Sequence, residues 1–301
     1  MSLIAFYTIL ISPPDMLVDV LRVISTLGLV VVMFSLGLKI KFIEIKKIFT
    51  KPKNLFIGLV CQIILIPIIG MVFILTFDFS TNILVAIMII ACMPSAATSN
   101  YICSKINGDL SLSITLTSIC TVSAVYTIPL FLKIFSLLTT RDISFFNFNY
   151  TDIIIKIFLI VTVPILIGMM LKYYLPLIKK IEKNLDYICL ILFFIIIALA
   201  VYLSAINIKK PIESLTAILT FMSIILFTIF IVTKITHTSF EVTKTIFAEG
   251  LLQNNVLGFL IVYSFGGGYA SLISIIAIYA VCQYLIFMLL MFTLLKNKSS
   301  T

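Results

Sequence analysis

The stretch Phe247-Ala-Glu-Gly-Leu-Leu-Gln-Asn-Asn-Val-Leu-Gly258 decides how the chain is read. It lies inside an otherwise apolar run, residues 242–265, long enough to cross a bilayer core of roughly 30 Å. Yet it carries Glu249 in its middle and the amides Gln253, Asn254 and Asn255 just beyond. A carboxylate at that depth costs roughly 2.5–3.5 kcal/mol on insertion scales, so it must face protein, water or an ion. Gly250 and Gly258 predict a break or distortion of the helix there, which frees carbonyl oxygens. A carboxylate, amide oxygens and loosened carbonyls together suit a small, hard cation stripped of its water.

The rest of the chain places that stretch in a membrane. Of 301 residues, 62% are hydrophobic and 11% charged, against about half and a quarter in a soluble domain. The apolar runs have helical rather than barrel length, which predicts an all-α polytopic membrane protein. A net charge of +9 would suggest nucleic acid in a soluble chain. Here the lysines fall in short loops, where they set orientation and meet anionic lipid, so the bilayer is the expected partner and nucleic acid is not. The six cysteines are scattered without a CxxC pair and read as small buried hydrophobes. His237 is the single histidine, which excludes any site needing two, and it reads as an ordinary residue at a membrane face.

Nine spans are predicted, at 16–38, 54–77, 82–104, 110–138, 152–173, 185–206, 212–234, 242–265 and 269–295. Residues 1–12 are too short to span and lack the marks of a signal peptide. Alternating the loops puts fifteen lysines, from Lys39 to Lys298, on one side and only Arg141, Lys209 and Lys210 on the other. The positive-inside rule then sets the amino terminus outside and the carboxyl terminus in the cytoplasm, in a plasma or inner membrane.

About 150 residues before Glu249 lies a second interrupted span, Ala91-Cys-Met-Pro-Ser-Ala-Ala-Thr-Ser-Asn-Tyr101. Pro94 removes a helix hydrogen bond and disturbs the turn before it. Small residues then allow close backbone approach, and Thr98, Ser99 and Asn100 follow. By the alternation this span runs inward and the Glu249 span outward. Paired broken helices of opposite direction, one per half, point to an inverted-repeat transporter with its site at the midplane. The chain is read as one transmembrane domain over 1–301, with a first half-repeat at 16–138, lacking one helix, and a second at 152–295. In the next span Ser113 and Thr117 share a helix face, while Ser111, Thr115 and Ser118 fall on another and can bond back to their own helix. Gln62, in the second span, ordinarily reads as helix glue.

Several of these segments together resemble the bile acid:sodium symporter family (BASS/SBF). They are Pro94-Ser-Ala-Ala-Thr-Ser-Asn100, Asn107-Gly-Asp-Leu-Ser-Leu-Ser113 and Glu249-Gly-Leu-Leu-Gln-Asn254, with Phe34-Ser-Leu-Gly-Leu38, Lys51-Pro-Lys53 and Gln62 at the family's spacing. The likeness runs over nearly the whole chain, in the family's nine-span form. It implies a core domain with two crossing discontinuous helices beside a smaller panel domain. It implies two sodium ions as coupling ions. The first site would take Ser99, Asn100, Ser113, Thr117 and Glu249; the second, Gln62, Glu249, Gln253 and carbonyls near Gly250 and Leu252. Two departures stand out. The family's paired glycines after the proline are Ser95 and Ala96, and a His-Asn pair facing substrate on the last helix is Gln283-Tyr284. The likeness therefore implies an organic anion without specifying a bile acid.

The function expected is sodium-coupled import of an organic anion by alternating access: a bile acid-like molecule, a keto acid or another carboxylate or sulfonate. Its head group would bind near the half-helix amino termini at Asn100 and Asn254, with Gln283 and Tyr284 facing it. Two alternatives stay open. One is a proton-coupled or uncoupled organic-anion carrier or efflux protein of the same fold, in which Glu249 titrates. The other is a membrane receptor or intramembrane enzyme. No DDxxD, GxSxG or HExxH motif occurs, and one histidine with one deep carboxylate leaves acid–base pairs hard to assemble.

Overall fold

The computed structural model describes residues 14–39, 52–139, 150–174, 179–207, 211–263 and 270–296. The amino-terminal segment 1–12 and eight of the eighteen basic residues behind the charge asymmetry, Arg141, Lys209 and Lys210 among them, lie outside the described residues. The described chain is helical throughout apart from short connections, as the lengths of its apolar runs require. Its helices are α1 (Pro14–Lys39), α2 (Pro52–Thr76), α3 (Thr81–Cys92), α4 (Ala97–Lys105) and α5 (Leu110–Leu138). There follow α6 (150–174), α7 (Lys179–Asn207), α8 (Pro211–Ile235), α9 (Phe240–Leu251), α10 (Asn255–Tyr263) and α11 (Ala270–Lys296).

Six of these, α1, α2, α5, α6, α8 and α11, are individually long and apolar enough to cross a membrane. The other three expected spans fall on α7, whose apolar part is shorter, and on the interrupted pairs α3–α4 and α9–α10. The outer surface is lined with side chains such as Phe56, Leu130, Leu137, Phe194 and Phe227, each more than half exposed. In water that would be an aggregation surface; against lipid it is the expected one. The interior is equally defined. Every residue of α3 from Ile83 to Cys92 is buried, so this helix is enclosed on all sides.

Two of the long helices carry a π-helical stretch, at Val60–Leu65 in α2 and Phe158–Thr162 in α6. A proline follows each closely, Pro67 and Pro164. A proline ring clashes with the carbonyl four residues back and removes the bond that carbonyl would accept. Those carbonyls belong to Ile63 and Ile160, inside the two widened stretches. The π-turn in α2 also contains Gln62, which it turns toward the interior.

α1 packs against α6, α7 and α10, and α7 packs against α11. The α1–α6 contact is backbone on backbone. A Cβ on Gly37 would lie 2.2 Å from Ile165 O, and one on Gly168 would lie 2.4 Å from Phe34 O. Small residues at such contacts let membrane helices approach without side chains between them. The loops after α4 and α8 share one design. Asn107 and His237 both adopt left-handed backbone with φ of 52°, and the N–H of the next residue bonds back five residues, Gly108 to Cys103 O at 2.9 Å and Thr238 to Thr233 O at 3.1 Å. Asp109 and Ser239 then cap α5 and α9, accepting from Leu112 N–H at 3.0 Å and Val242 N–H at 3.4 Å. The neighbouring lysines Lys53 and Lys244 donate to Thr236 O and Ile106 O, at the carbonyl ends of α8 and α4.

Gly37→Val is expected to destabilise the purified protein by about 1–3 kcal/mol, because backbone blocks the added methyls. Gly258→Ala is expected to be neutral or slightly stabilising. Its methyl would meet Ile276 at 3.5 Å, an ordinary contact, and helical glycine costs roughly 0.5–1 kcal/mol relative to alanine. Thermal unfolding midpoints in detergent check both.

Candidate cation and substrate site

The two interrupted helices cross in the interior, and the crossing is held by backbone. Ser95 and Gln253 form an isolated antiparallel bridge. Ala96 N–H donates to Leu252 O at 2.8 Å and Asn254 N–H to Pro94 O at 2.9 Å. Each break thus supplies the partners that the other lost, as low-dielectric surroundings require. α3 packs against α10 and α4 against α9, so each half-helix meets the far half of the other pair. The first break falls at Pro94, as expected: α3 ends at Cys92 and Met93 is extended at φ −68°, ψ 143°. The second does not fall at the glycine. Gly250 is helical inside α9, Gly258 lies inside α10, and the chain leaves the helix at Leu252–Asn254, with Leu252 at φ −89°, ψ 82°. What opens the helix there is the pairing with Pro94 and Ala96. Gly250 serves packing instead, since a Cβ would come within 2.4 Å of Ile229. Tyr279 and Gln283 of α11 brace the same break, Tyr279 OH donating to Leu251 O at 2.9 Å and Gln283 Oε1 accepting from Gln253 N–H at 3.0 Å.

Glu249, on the last turn of α9, is 2% exposed. Four hydroxyls donate to its carboxylate: Ser99 and Ser113 to Oε1 at 2.7 and 2.5 Å, Ser95 and Thr117 to Oε2 at 2.5 and 2.8 Å. Among the described residues no basic side chain pairs with it. Asn100 Oδ1 lies 2.8 Å from Ser113 Oγ and 3.2 Å from Thr117 Oγ1, and Thr117 Oγ1 is also 3.0 Å from Ser113 O. All five residues expected at a first sodium site therefore meet in one cluster. Its hydrogen count is short. Seven contacts join these hydroxyls to carboxylate, amide and carbonyl oxygens, and four hydroxyl protons must serve them. The surplus contacts set lone pair against lone pair, which is the environment a cation fills.

A second group lies across the bridge. Gln62 Nε2 donates to Gln253 Oε1 and to Met93 O, both at 3.0 Å. Gln253 Nε2 donates to Gly250 O at 2.8 Å. Gln62 Oε1 is buried with no partner among the described residues, an unsatisfied acceptor of the kind that costs about 1–3 kcal/mol. Gln62, Gly250, Leu252 and Gln253 are thus brought together, while the described hydrogen bonds of the Glu249 carboxylate all run to the first cluster.

A cavity of about 490 Å³ opens beside the crossing, within the size range of small-molecule sites. Its walls are α1 and α7 on one side, with Leu29, Lys39, Tyr187 and Phe193, and the starts of α4 and α10 on the other, with Thr98, Asn254 and Asn255. Of the residues expected to face substrate, Asn254 and Tyr284 line it. Tyr284 OH lies 2.8 Å from Thr98 Oγ1, and Asn254 Oδ1 accepts from Leu257 N–H at 3.2 Å, capping α10. Asn100 instead faces the Glu249 cluster and Gln283 the Gln253 backbone. The sequence assigned no role to Ser95 and read Asn255 only as one of three amides beside the Glu249 carboxylate. Ser95 stood only as a departure from glycine. Asn255 lines the cavity, and both polar atoms of its side chain are buried without a partner among the described residues. A polar residue beside a broken apolar helix was the available signal for each.

Interrupted helices that cross at buried oxygen clusters beside a cavity lie here in a scaffold of lipid-length apolar helices, the architecture of a multi-pass membrane protein. Residues 26–211, more than half of the 301, match the Sodium Bile acid symporter family, and the chain belongs to that family. It is 27% identical over 240 residues to the human sodium-dependent organic anion transporter, covering 78% of this chain and 62% of that protein. To the rat hepatic sodium/bile acid cotransporter it is 33% identical over 165 residues, 53% of this chain and 45% of that one. To the human ileal sodium/bile acid cotransporter it is 30% identical over 182 residues, 60% and 51% of the two chains. The chain spans less than two thirds of the length of these relatives. The family and these relatives are transporters by description, and the reading of an intramembrane enzyme is set aside.

Tyr279→Phe is expected to lower stability by about 1–3 kcal/mol, since Leu251 O loses its buried donor while the ring still packs. Thermal unfolding of the purified variant measures it. A loss far below that range would mean the α9 end is braced elsewhere.

Proposed function

We propose that the protein imports an organic anion together with sodium by alternating access, with two sodium ions bound at the helix crossing. The observation that carries this is the proton-poor oxygen cluster around Glu249. A proton on Glu249 would relieve one of its surplus contacts; a sodium ion among the oxygens relieves them together and offsets the buried charge. That difference favours sodium over the proton-coupled alternative. Ser99, Asn100, Ser113, Thr117 and Glu249 hold the first ion. Gln62 Oε1, Gln253 Oε1 and the carbonyls of Gly250 and Leu252 hold the second, with Glu249 close enough in sequence to Gly250 to share in its charge balance.

In this reading each broken pair counts as one crossing and α7 as another, giving nine, with residues 16–138 and 152–295 as inverted halves. The antiparallel bridge at the crossing supports opposite directions for the two broken spans. α1, α6 and α7 form the panel and the remaining helices the core, and the cavity lies between the two groups. The amino terminus is outside and the carboxyl terminus cytoplasmic, in a plasma or inner membrane. The substrate's head group meets the amino-terminal ends of α4 and α10, where unpaired N–H groups and the helix dipole favour negative charge. Lys39 adds a cation on the opposite wall, and Asn255 offers a donor and an acceptor. Phe193, Leu29 and Val32 give the cavity an apolar side, which suits an amphipathic carboxylate or sulfonate rather than an inorganic anion. Thr98 in the cavity adjoins Ser99 in the first cluster, and Gln253 belongs to both cavity and second group, so ion occupancy orders the substrate wall.

Two sodium ions with a monovalent anion move one net positive charge inward, worth roughly 2.3 kcal/mol per 100 mV. Uptake into proteoliposomes is therefore expected to need an inward sodium gradient and to rise with inside-negative potential. Glu249→Ala is expected to abolish it, and Gln62→Ala with Gln253→Ala to flatten the sodium dependence from sigmoidal toward hyperbolic. Full uptake driven by a pH gradient in sodium-free buffer would support the proton carrier instead.

A further inference from the structure

Ser95 is held by no helix. It lies between the end of α3 at Cys92 and the start of α4 at Ala97, opposite Gln253 in the bridge. Backbone bonds on both sides of it, Ala96 N–H to Leu252 O at 2.8 Å and Asn254 N–H to Pro94 O at 2.9 Å, fix its position without using its side chain. A glycine or alanine here would keep every one of those bonds. The hydroxyl is therefore not what makes the crossing. It is 1% exposed, 2.5 Å from Glu249 Oε2 and 3.3 Å from Thr117 Oγ1. With one rotatable bond between Oγ and the backbone, a shift of the bridge carries the hydroxyl with it and changes its distance to the carboxylate.

The other oxygens of the cluster come from α4, α5 and α9: Ser99, Asn100, Ser113, Thr117 and Glu249. Ser95 is the one member carried by the extended segment itself. Its partner in the bridge, Gln253, carries the amide of the second group. One peptide-to-peptide contact thus joins the two clusters.

We propose that Ser95 Oγ is a direct oxygen ligand of the cation in the Glu249 cluster and, through its bridge to Gln253, the residue that makes binding at one cluster sensitive to binding at the other. This rests on reading the Glu249 cluster as a sodium site. It gives the cation another hard oxygen from a direction no helix supplies and helps to set the size of the cage, so it bears on discrimination between sodium and lithium. A purely structural serine would affect folding and leave that discrimination alone.

The test is equilibrium binding of radioactive sodium to the purified full chain, without substrate, with lithium as competitor. Ser95→Cys keeps a donor of similar shape but offers soft sulfur to a hard ion; Ser95→Ala removes the donor; Ser95→Thr keeps the oxygen. Ser95→Cys and Ser95→Ala are expected to raise the half-saturating sodium concentration about tenfold, to lower the Hill coefficient toward one and to shift the sodium-to-lithium ratio. Ser95→Thr is expected to stay near the parent in all three. In choline chloride Ser95→Ala is expected to lose stability along with its bond to the buried carboxylate, so Ser95→Cys, which keeps a donor, carries the comparison, and its unfolding midpoint is expected to change less. Parent-like sodium binding and lithium competition in Ser95→Cys would overturn the assignment while leaving the sodium site in place. A parent chain that binds no sodium at all would overturn the sodium reading, and this assignment with it.

Discussion

A carboxylate with almost no exposure, surrounded by oxygens, is the constraint from which the rest of the interior follows. Moving an ionised carboxylate into apolar surroundings is costly unless hydrogen bonds and opposite charge compensate it. Glu249 has the hydrogen bonds, from Ser95, Ser99, Ser113 and Thr117, but no basic partner among the described residues. These donors come from three separate pieces of chain, the first break, α4 and α5, while the acid itself sits on α9. Only a crossing of two broken helices packs these pieces within hydrogen-bond reach of one side chain.

The crossing in turn needs its own backbone satisfied. Broken helices in a membrane interior leave N–H and C=O groups that no water can reach. Here the breaks answer one another through Pro94, Ala96, Leu252 and Asn254, and α11 supplies Tyr279 and Gln283 to the groups left over. Gln283 braces the broken segment from within, and Tyr284 turns to Thr98 on the cavity wall. The same logic makes the arrangement responsive. Ser95 and Gln253 face each other, and each carries an oxygen cluster on its side, so a charge bound in either place would act on the shared contact.

Much of this was legible in the sequence because membrane burial makes polar residues conspicuous. Glu249, the hydroxyls at Ser113 and Thr117, Gln62 and the proline break each stand out against apolar surroundings, and their spacing assigns them to helix faces. The second break was read from its glycine, but the structure opens the helix two residues later. Glycine permits a distortion, whereas the partner strand from the other half decides where it falls, and no local signal reports a partner 150 residues away. Ser95 was missed as a donor for the same reason: its role depends on which way an extended segment faces. The π-turns in α2 and α6 were also hidden, although Pro67 and Pro164 mark them once the link between proline and the carbonyl four residues back is considered. Span counting was limited by length, since an interrupted helix falls short of a bilayer in each of its halves.

If the proposed function holds, a sodium ion completes the Glu249 cluster. The most direct measurement is the unfolding midpoint of the purified chain as sodium replaces choline at constant ionic strength, compared with that of Glu249→Gln. A ligand bound only by the folded state stabilises in proportion to the logarithm of its concentration above Kd. The parent is predicted to gain stability steadily with sodium, and Glu249→Gln, which keeps the shape and removes the buried charge, to show a flat response and to match or exceed the parent in sodium-free buffer. Equal sodium responses in the two proteins would contradict the account.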